Sequence, residues 1–253
     1  MIELRSKELY ADFYENARQP VVALIGGSLK GIAVVSPQLL NYLQEHYSVL
    51  VFAYFGVGEL PPYLEKIPLE YFINGINQVK TQYDLQDQTV SIIGNSKGGE
   101  AALLLTRFIN PAVTIACVPS CYVWQGIPHG MASALFPRSS WTINQKEIPF
   151  IKFKYDRQIF RDIKNKQYYS IYKKAISGKI DRKAGIDLRQ CKGKILLLSA
   201  EIDNFWPSKE MCRVIERKPQ IDVTHKILDL KGHHFLEYDE SIKEIIGFLD
   251  ETR

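Results

Sequence analysis

The sequence lacks any hydrophobic run of the length a membrane helix needs, about 18 or more apolar residues; its longest apolar stretches, Val49 to Phe55 and Ile195 to Leu198, suit buried strands. Nothing at its start argues for secretion, because Met-Ile-Glu-Leu-Arg-Ser-Lys-Glu puts charges where a signal peptide carries its apolar core. A soluble, cytoplasmic protein is expected. Cysteine is scarce: Cys117, Cys121, Cys191 and Cys212 form no CxxC pair, and no histidine stands at zinc-finger spacing. Reduced structural thiols are expected, with no metal and no cofactor. An excess of one charge sign is missing too. The 32 basic and 28 acidic side chains leave a net +4, too little to imply a nucleic-acid partner. Internal repeats and Ser/Gly-rich linkers are absent, so the 253 residues are expected to form a single domain. With 46% hydrophobic and 24% charged residues, disorder is excluded.

What is present alternates. Val21 to Ile25, Val49 to Tyr54, Val90 to Ile93, Val113 to Val118, Ile195 to Ala200 and His225 to Leu230 read as strands. Helical periodicity covers about Ala33 to His46, Pro68 to Tyr83, Glu100 to Ile109 and Ser241 to Leu249. Strands apolar on both faces, separated by helices, imply an α/β fold whose mostly parallel sheet is covered on both sides. The alternation lapses between about 119 and 193. There lie Trp124, Trp141 and seven further rings from Phe150 to Tyr172. So long a structureless loop would be anomalous in a compact domain, so a cap insertion with its own helices is expected over the sheet. Part of it is strongly basic: from Lys152 to Lys194, 14 Lys or Arg face four Asp or Glu. Such asymmetry points to an anionic partner or to a solvated helical face. Arg157, Arg161 and Lys164 fall on one helical face and are candidates for substrate binding.

Gly94-Asn-Ser96-Lys-Gly98 is a G-x-S-x-G pentapeptide. Chance supplies one in roughly a tenth of chains this long, so its context decides. A strand ends just before it and a helix begins just after it. A sharp strand-to-helix turn needs small residues on both sides, lifts the serine hydroxyl off the sheet and sets it at a helix N-terminus. The Lys97 N–H is one candidate oxyanion donor; N–H groups near Gly27 and Ser28, in the Gly26-Gly27-Ser28 loop after the first expected strand, are the other. A serine nucleophile needs a base held by an acid, and the order expected for this fold is Ser, acid, His. The strand ending Ala200-Glu201-Ile202-Asp203 offers Asp203, with Glu201 as its rival. The next strand leads into Lys231-Gly-His233-His234, one of which is the base. His46, at a helix end, and His225, opening a strand, are less suited; His129 lies in the insertion.

These residues resemble a known family. Gly94-Asn-Ser-Lys-Gly-Gly-Glu100 is similar to the elbow of the acyl-CoA thioesterases that share a C-terminal domain with bile acid-CoA:amino acid N-acyltransferase. So are Ala53-Tyr-Phe followed by Glu59-Leu-Pro61, Pro68-Leu-Glu-Tyr-Phe72, Asp203-Asn-Phe-Trp-Pro-Ser208 and Gly232-His233. The resemblance runs from about Val21 to the final helix. It implies an α/β-hydrolase fold and a Ser96–Asp203–His233 triad, with His233 preferred because it directly follows the glycine. The family's animal members carry a β-sandwich domain ahead of this one, whereas here about 20 residues precede the first expected strand. The family's transferases use a cysteine nucleophile; serine at position 96 favours transfer of the acyl group to water.

The expectation is a serine hydrolase acting on a small-molecule acyl thioester, its CoA moiety held by cations of the insertion. The alternatives are a carboxylesterase, an acyl-CoA:amino acid N-acyltransferase and a non-catalytic binding module on the same fold. Acyl chain and oligomeric state are not legible.

Overall fold

The computed structural model describes residues 1–178, 180–218 and 221–253; Lys179, one of the cations counted in the basic segment, lies outside them. In chain order the elements are β1 (Ile2–Arg5), β2 (Tyr10–Tyr14), β3 (Val21–Ile25), α1 (Pro37–His46), β4 (Ser48–Ala53), β5 (Ile67–Pro68), α2 (Leu69–Gln82), β6 (Val90–Asn95) and α3 (Lys97–Ile109). Then follow β7 (Val113–Cys117), α4 (Met131–Leu135), β8 (Trp141–Ile143), β9 (Lys146–Glu147), α5 (Arg157–Lys164), α6 (Tyr168–Ile176), β10 (Lys194–Ile202), α7 (Ser208–Glu216), β11 (Val223–Lys231) and α8 (Asp239–Thr252).

Eight strands form the central sheet in the order β1-β2-β4-β3-β6-β7-β10-β11. From β4 to β11 every pairing is parallel, whereas β1 and β2 pair antiparallel at one edge. The α/β alternation of the sequence thus describes the sheet from β3 onward. It missed β1 and β2, so Val21–Ile25 is the third strand rather than the first. Their short edge segments mix Glu3, Arg5 and Asp12 with apolar residues that alternate in burial, a weak signal beside the continuous apolar run of β3.

Both faces of the sheet carry core. Along β3, Val21, Ala23 and Ile25 pack into one hydrophobic cluster with α2, α3 and α7, and Val22 and Leu24 into another with α1 and α8. This is the period-2 alternation of a strand buried on both sides. The helix expected from Ala33 begins only at Pro37, because the Ser36 hydroxyl accepts from the Gln38 N–H and proline suits the first helical position. Between β7 and β10 lie α4, α5, α6 and the strands β8 and β9, which join β5 in a separate small sheet that periodicity did not reveal. Strands of two and three residues are too short to show a period. Among the described residues no helix is long and apolar enough to cross a membrane.

Since β3, β6, β10 and β11 run parallel, their C-terminal ends share one edge of the sheet. The loops leaving them carry Gly27, Ser96, Asp203 and His233. Crevices at that edge are where ligands bind in open α/β sheets.

Candidate active site

Ser96 sits between β6 and α3 with φ +56° and ψ −114°, a left-handed conformation that a side chain rarely adopts. The surroundings impose it. The Ser96 N–H donates to the Cys117 carbonyl at 2.8 Å, and the Ser96 carbonyl accepts from the Glu100 N–H at 3.0 Å, so the turn is held by both neighbouring elements. A Cβ on Gly94 would strike the Gly98 carbonyl, and one on Gly98 would strike that of Ile25. The two glycines of the pentapeptide are therefore needed where strand, turn and helix press together.

The turn points the hydroxyl at His233. Ser96 Oγ lies 2.7 Å from His233 Nε2, and His233 Nδ1 lies 2.9 and 3.0 Å from the two oxygens of Asp203. Asp203 also accepts from the Phe205 N–H, the Trp206 N–H and the Ser208 hydroxyl at 2.8, 3.3 and 2.6 Å. A carboxyl meeting only donors is an acceptor-only carboxylate, so Nδ1 carries the ring proton and the Nε2 lone pair faces Ser96. Phe205 stacks on the imidazole with centroids 4.8 Å apart, and Trp206 meets it edge-on at 5.7 Å. Asn95 clamps the loop from beneath: its amide donates to the His233 carbonyl and accepts from the Phe235 N–H.

The register of β10 against β11 slips between Ala200 and Ile202, just ahead of Asp203, and the Gly232 N–H then donates to the Ile202 carbonyl. That irregularity brings the acid and histidine loops together. The rivals lie elsewhere. Glu201 is half exposed and pairs with Lys209 at 2.5 Å, and His234 is half exposed, 3.6 Å from Glu237. His46 ends α1. His129 stacks on Tyr63 with ring centroids 3.6 Å apart. His225 bonds Ser199 at 2.9 Å within the sheet.

Around Ser96 the backbone is rich in N–H groups. Lys97 opens α3, where the first N–H groups have no partner within the helix. Gly27 approaches so closely that a Cβ on it would lie 3.3 Å from Ser96 Cβ. Tyr54, buried at the end of β4, donates its hydroxyl toward the carbonyls of Gly26 and Gly27. In a trans peptide the N–H points opposite to the C=O, so this contact turns the Gly27 and Ser28 N–H groups away from Tyr54. The sequence showed Tyr54 only as the end of a strand and part of the family-like Ala53-Tyr-Phe, with no role attached.

It also missed the side chains of Lys97 and Glu100, a buried ion pair at 2.9 Å. Glu100 accepts in addition from the Trp124 N–H and the Trp141 indole N–H, at 3.1 and 2.8 Å, which binds the nucleophile helix to the insertion. Burial pushes the Lys97 ammonium down and the Glu100 carboxyl up, each opposed by the partner charge. Trp206 likewise ties the acid loop to the end of β7, donating its indole N–H to the Val118 carbonyl at 2.9 Å.

Ser96 opens onto a cavity of about 450 Å³ shared by the elbow and the insertion, with Phe153, Tyr172 and Trp206 among its walls. A narrower cleft runs past Gly27, Ser28 and His233. Arg157, Arg161 and Lys164 are exposed on α5 and do not line either space, whereas Ile163 of the same helix lines the larger one. The three cations therefore stand outside the cavity, beside its wall. All four cysteines are free, and burial raises the thiols of Cys117, Cys121 and Cys212, that of Cys121 to about 12. None is poised as a nucleophile.

The fold has counterparts. Among solved structures, an esterase from Pyrococcus furiosus aligns with a TM-score of 0.63 at 16% identity, covering 99% of this chain and 88% of that one. A monoacylglycerol lipase from Paleococcus ferrophilus aligns at 0.60 and 19%, covering 97% and 99%. These likenesses establish the α/β-hydrolase fold. Among curated proteins, human "Acyl-coenzyme A thioesterase 2, mitochondrial" is 27% identical over 185 residues, 69% of this chain and 35% of that protein. Mouse "Acyl-coenzyme A amino acid N-acyltransferase 1" is 27% identical over 82 residues, 32% and 20% of the two chains. The match thus spans about a third or less of these relatives' own length. The family model described as BAAT / Acyl-CoA thioester hydrolase C terminal covers residues 67–238, well over half of the sequence, so the chain belongs to that family.

Proposed function

We propose that this chain is a serine hydrolase that cleaves an acyl thioester, with Ser96 as nucleophile, His233 as general base and Asp203 as its orienting acid. The hydrogen-bonded run from Asp203 through His233 to Ser96, at a strained elbow opening on a cavity, carries this reading. Ser96 Oγ attacks the carbonyl carbon while His233 Nε2 takes its proton. The tetrahedral oxyanion is held by the Lys97 N–H and by those of Gly27 and Ser28, each donor typically worth about 3 kcal/mol. Collapse of the intermediate breaks the C–S bond, and the imidazolium returns its proton to the departing thiolate. Water, deprotonated by the same imidazole, then attacks the acyl-enzyme, releasing the acid and restoring Ser96.

Family membership supports a CoA thioester over a simple ester as substrate. In this reading Arg157, Arg161 and Lys164, exposed on α5, would meet its phosphates outside the cavity while the acyl group enters it. The test is a paired assay of CoA thioesters and oxygen esters, together with labelling by a fluorophosphonate. Labelling of Ser96 with faster turnover of thioesters is the expected outcome. Turnover of oxygen esters alone would replace the thioesterase reading with a carboxylesterase. Amide formation with added glycine or taurine would make the chain a transferase, and absence of both labelling and turnover would leave a binding module.

A further inference from the structure

Aromatic contacts run from the insertion to the general base. Tyr168, which opens α6, stacks on Phe205 with ring centroids 5.2 Å apart and planes 21° apart. Phe205 in turn stacks on the His233 imidazole at 4.8 Å and 22°. Planes so nearly parallel, at so short a separation, set ring face against ring face. The backbone of Phe205 is occupied as well, its N–H donating to Asp203 at 2.8 Å. One residue therefore holds the acid with its main chain and covers the base with its side chain. Its ring also lines both the cavity and the narrower cleft that meet at Ser96.

The face of an aromatic ring carries the negative part of its quadrupole and attracts a cation held within about 6 Å of the centroid. A neutral imidazole gains little from that face. An imidazolium gains the full attraction, and His233 becomes one only after it has taken the Ser96 proton. The contact is therefore stronger in the transition state than in the resting enzyme, which is the condition for accelerating the chemical step. Trp206 meets the imidazole at 79°, and its own indole is fixed by the Val118 carbonyl. The imidazole is thus confined by two rings at steep angles to one another, and its plane is kept in line with Ser96 Oγ.

Resting on the hydrolase reading of Ser96, we propose that Phe205 is a positioning residue that acts through His233, its ring face stabilising the imidazolium that forms as Ser96 attacks. Tyr168 supports it from the insertion by stacking on the same ring. A residue that merely lines the cavity would act on substrate binding instead, and would depend on the shape of its side chain rather than on the electron density of its ring.

The experiment measures kcat and KM for one thioester, and the rate at which a small fluorophosphonate labels Ser96, in the wild type, Phe205→Leu and Phe205→Tyr. A further series carries phenylalanines with one to three ring fluorines at position 205, which keep the shape of the side chain and drain its face of electron density. Phe205→Leu should lower kcat by about two- to thirtyfold with KM nearly constant. Labelling should slow in parallel, since it passes through the same imidazolium. Phe205→Tyr, which keeps the ring face, should stay close to the wild type, and each added fluorine should lower kcat and labelling further. Tyr168→Leu should lose less than Phe205→Leu. A change in KM alone, or kcat and labelling indifferent to fluorination, overturns the proposal and leaves the hydrolase reading standing. If Phe205→Leu does not fold, the fluorinated series decides by the same criterion. A wild type that neither labels nor turns over the thioester removes the hydrolase reading, and the proposal with it.

Discussion

This molecule contains two chains of serine, histidine and carboxylate, and they differ in almost everything except distance. In one, Ser96 Oγ is 2.7 Å from His233, which is 2.9 Å from Asp203. In the other, Ser199 Oγ is 2.9 Å from His225, which is 3.3 Å from Glu216. Ser199 lies in the middle of β10, fully buried, and Ser199 and His225 stand on neighbouring parallel strands. No substrate carbonyl can reach it, and strand N–H groups are committed to the sheet. Ser96 stands past the end of its strand at positive φ, beside the free N–H groups of a helix start and a glycine loop, and lines a cavity. Side-chain spacing is thus shared by a hydrogen-bond bridge in a sheet and by a site equipped for acyl chemistry; the backbone around the serine separates them.

The largest effect should come from the serines themselves. Ser96→Ala should lower kcat by about a million-fold, and Ser96→Ala combined with His233→Ala should be little worse, because the residues act as a unit. Ser199→Ala should leave thioester turnover unchanged in the same assay. Loss of activity in Ser199→Ala, assayed well below the melting temperature of the variant, would break the comparison. Next in size, Asp203→Asn should lose about ten-thousandfold in kcat, since the asparagine amide cannot hold the Nδ1–H tautomer. Glu216→Gln should lose nothing.

A smaller effect is expected from Tyr54→Phe. Removing the hydroxyl that aims the Gly26 and Gly27 carbonyls loosens the N–H groups on their far side without deleting them. We expect kcat to fall about tenfold with KM nearly constant, less than deletion of a direct oxyanion donor causes. Smaller again is the effect of neutralising Arg157, Arg161 and Lys164 together. These exposed charges act over roughly 8 Å at physiological salt, so KM for a CoA thioester should rise several-fold with kcat preserved. The penalty should shrink with added salt and be absent for a neutral ester.

The smallest effect belongs to the second histidine and concerns stability. Burial pushes His225 below its ordinary 6.5, with Glu216 opposing only in part. Between the folded and unfolded values the unfolded chain binds more protons. The stability that neutral His225 supports is therefore full above about pH 6.5 and is lost as the pH falls below it. Thermal melts of the wild type should decline on acidification more steeply than those of His225→Gln. Ser199→Ala, which deletes the hydrogen bond, should cost about 1 kcal/mol, roughly 2–4 °C in Tm.

Most of the sheet was legible because continuous apolar runs bounded by glycine or proline have few other uses. The hairpin of β1 and β2 was not, since its mixed composition resembles a loop until β4 is there to pair with Tyr10–Tyr14. The residues that meet around Ser96 were legible for a different reason. Each follows directly on a strand, and parallel strands deliver their C-terminal ends to one edge. The sequence left Glu201 beside Asp203 and, on the residues alone, His234 beside His233, because neighbours in sequence leave a loop in different directions that only its packing fixes.

By itself, then, the order of residues determined the α/β alternation, the glycines that allow the elbow, and the succession of serine, acid and histidine at strand ends. These depend on local sterics and on periodicity, which act over a few residues. Only the tertiary structure decided that Tyr54 holds the glycine loop and that Lys97 and Glu100 join the elbow to Trp124 and Trp141. It also decided that the basic face of α5 stands outside the cavity that Ile163 lines. Each of these relations joins side chains far apart in the chain, where direction and burial are set by packing and leave no period or spacing to read.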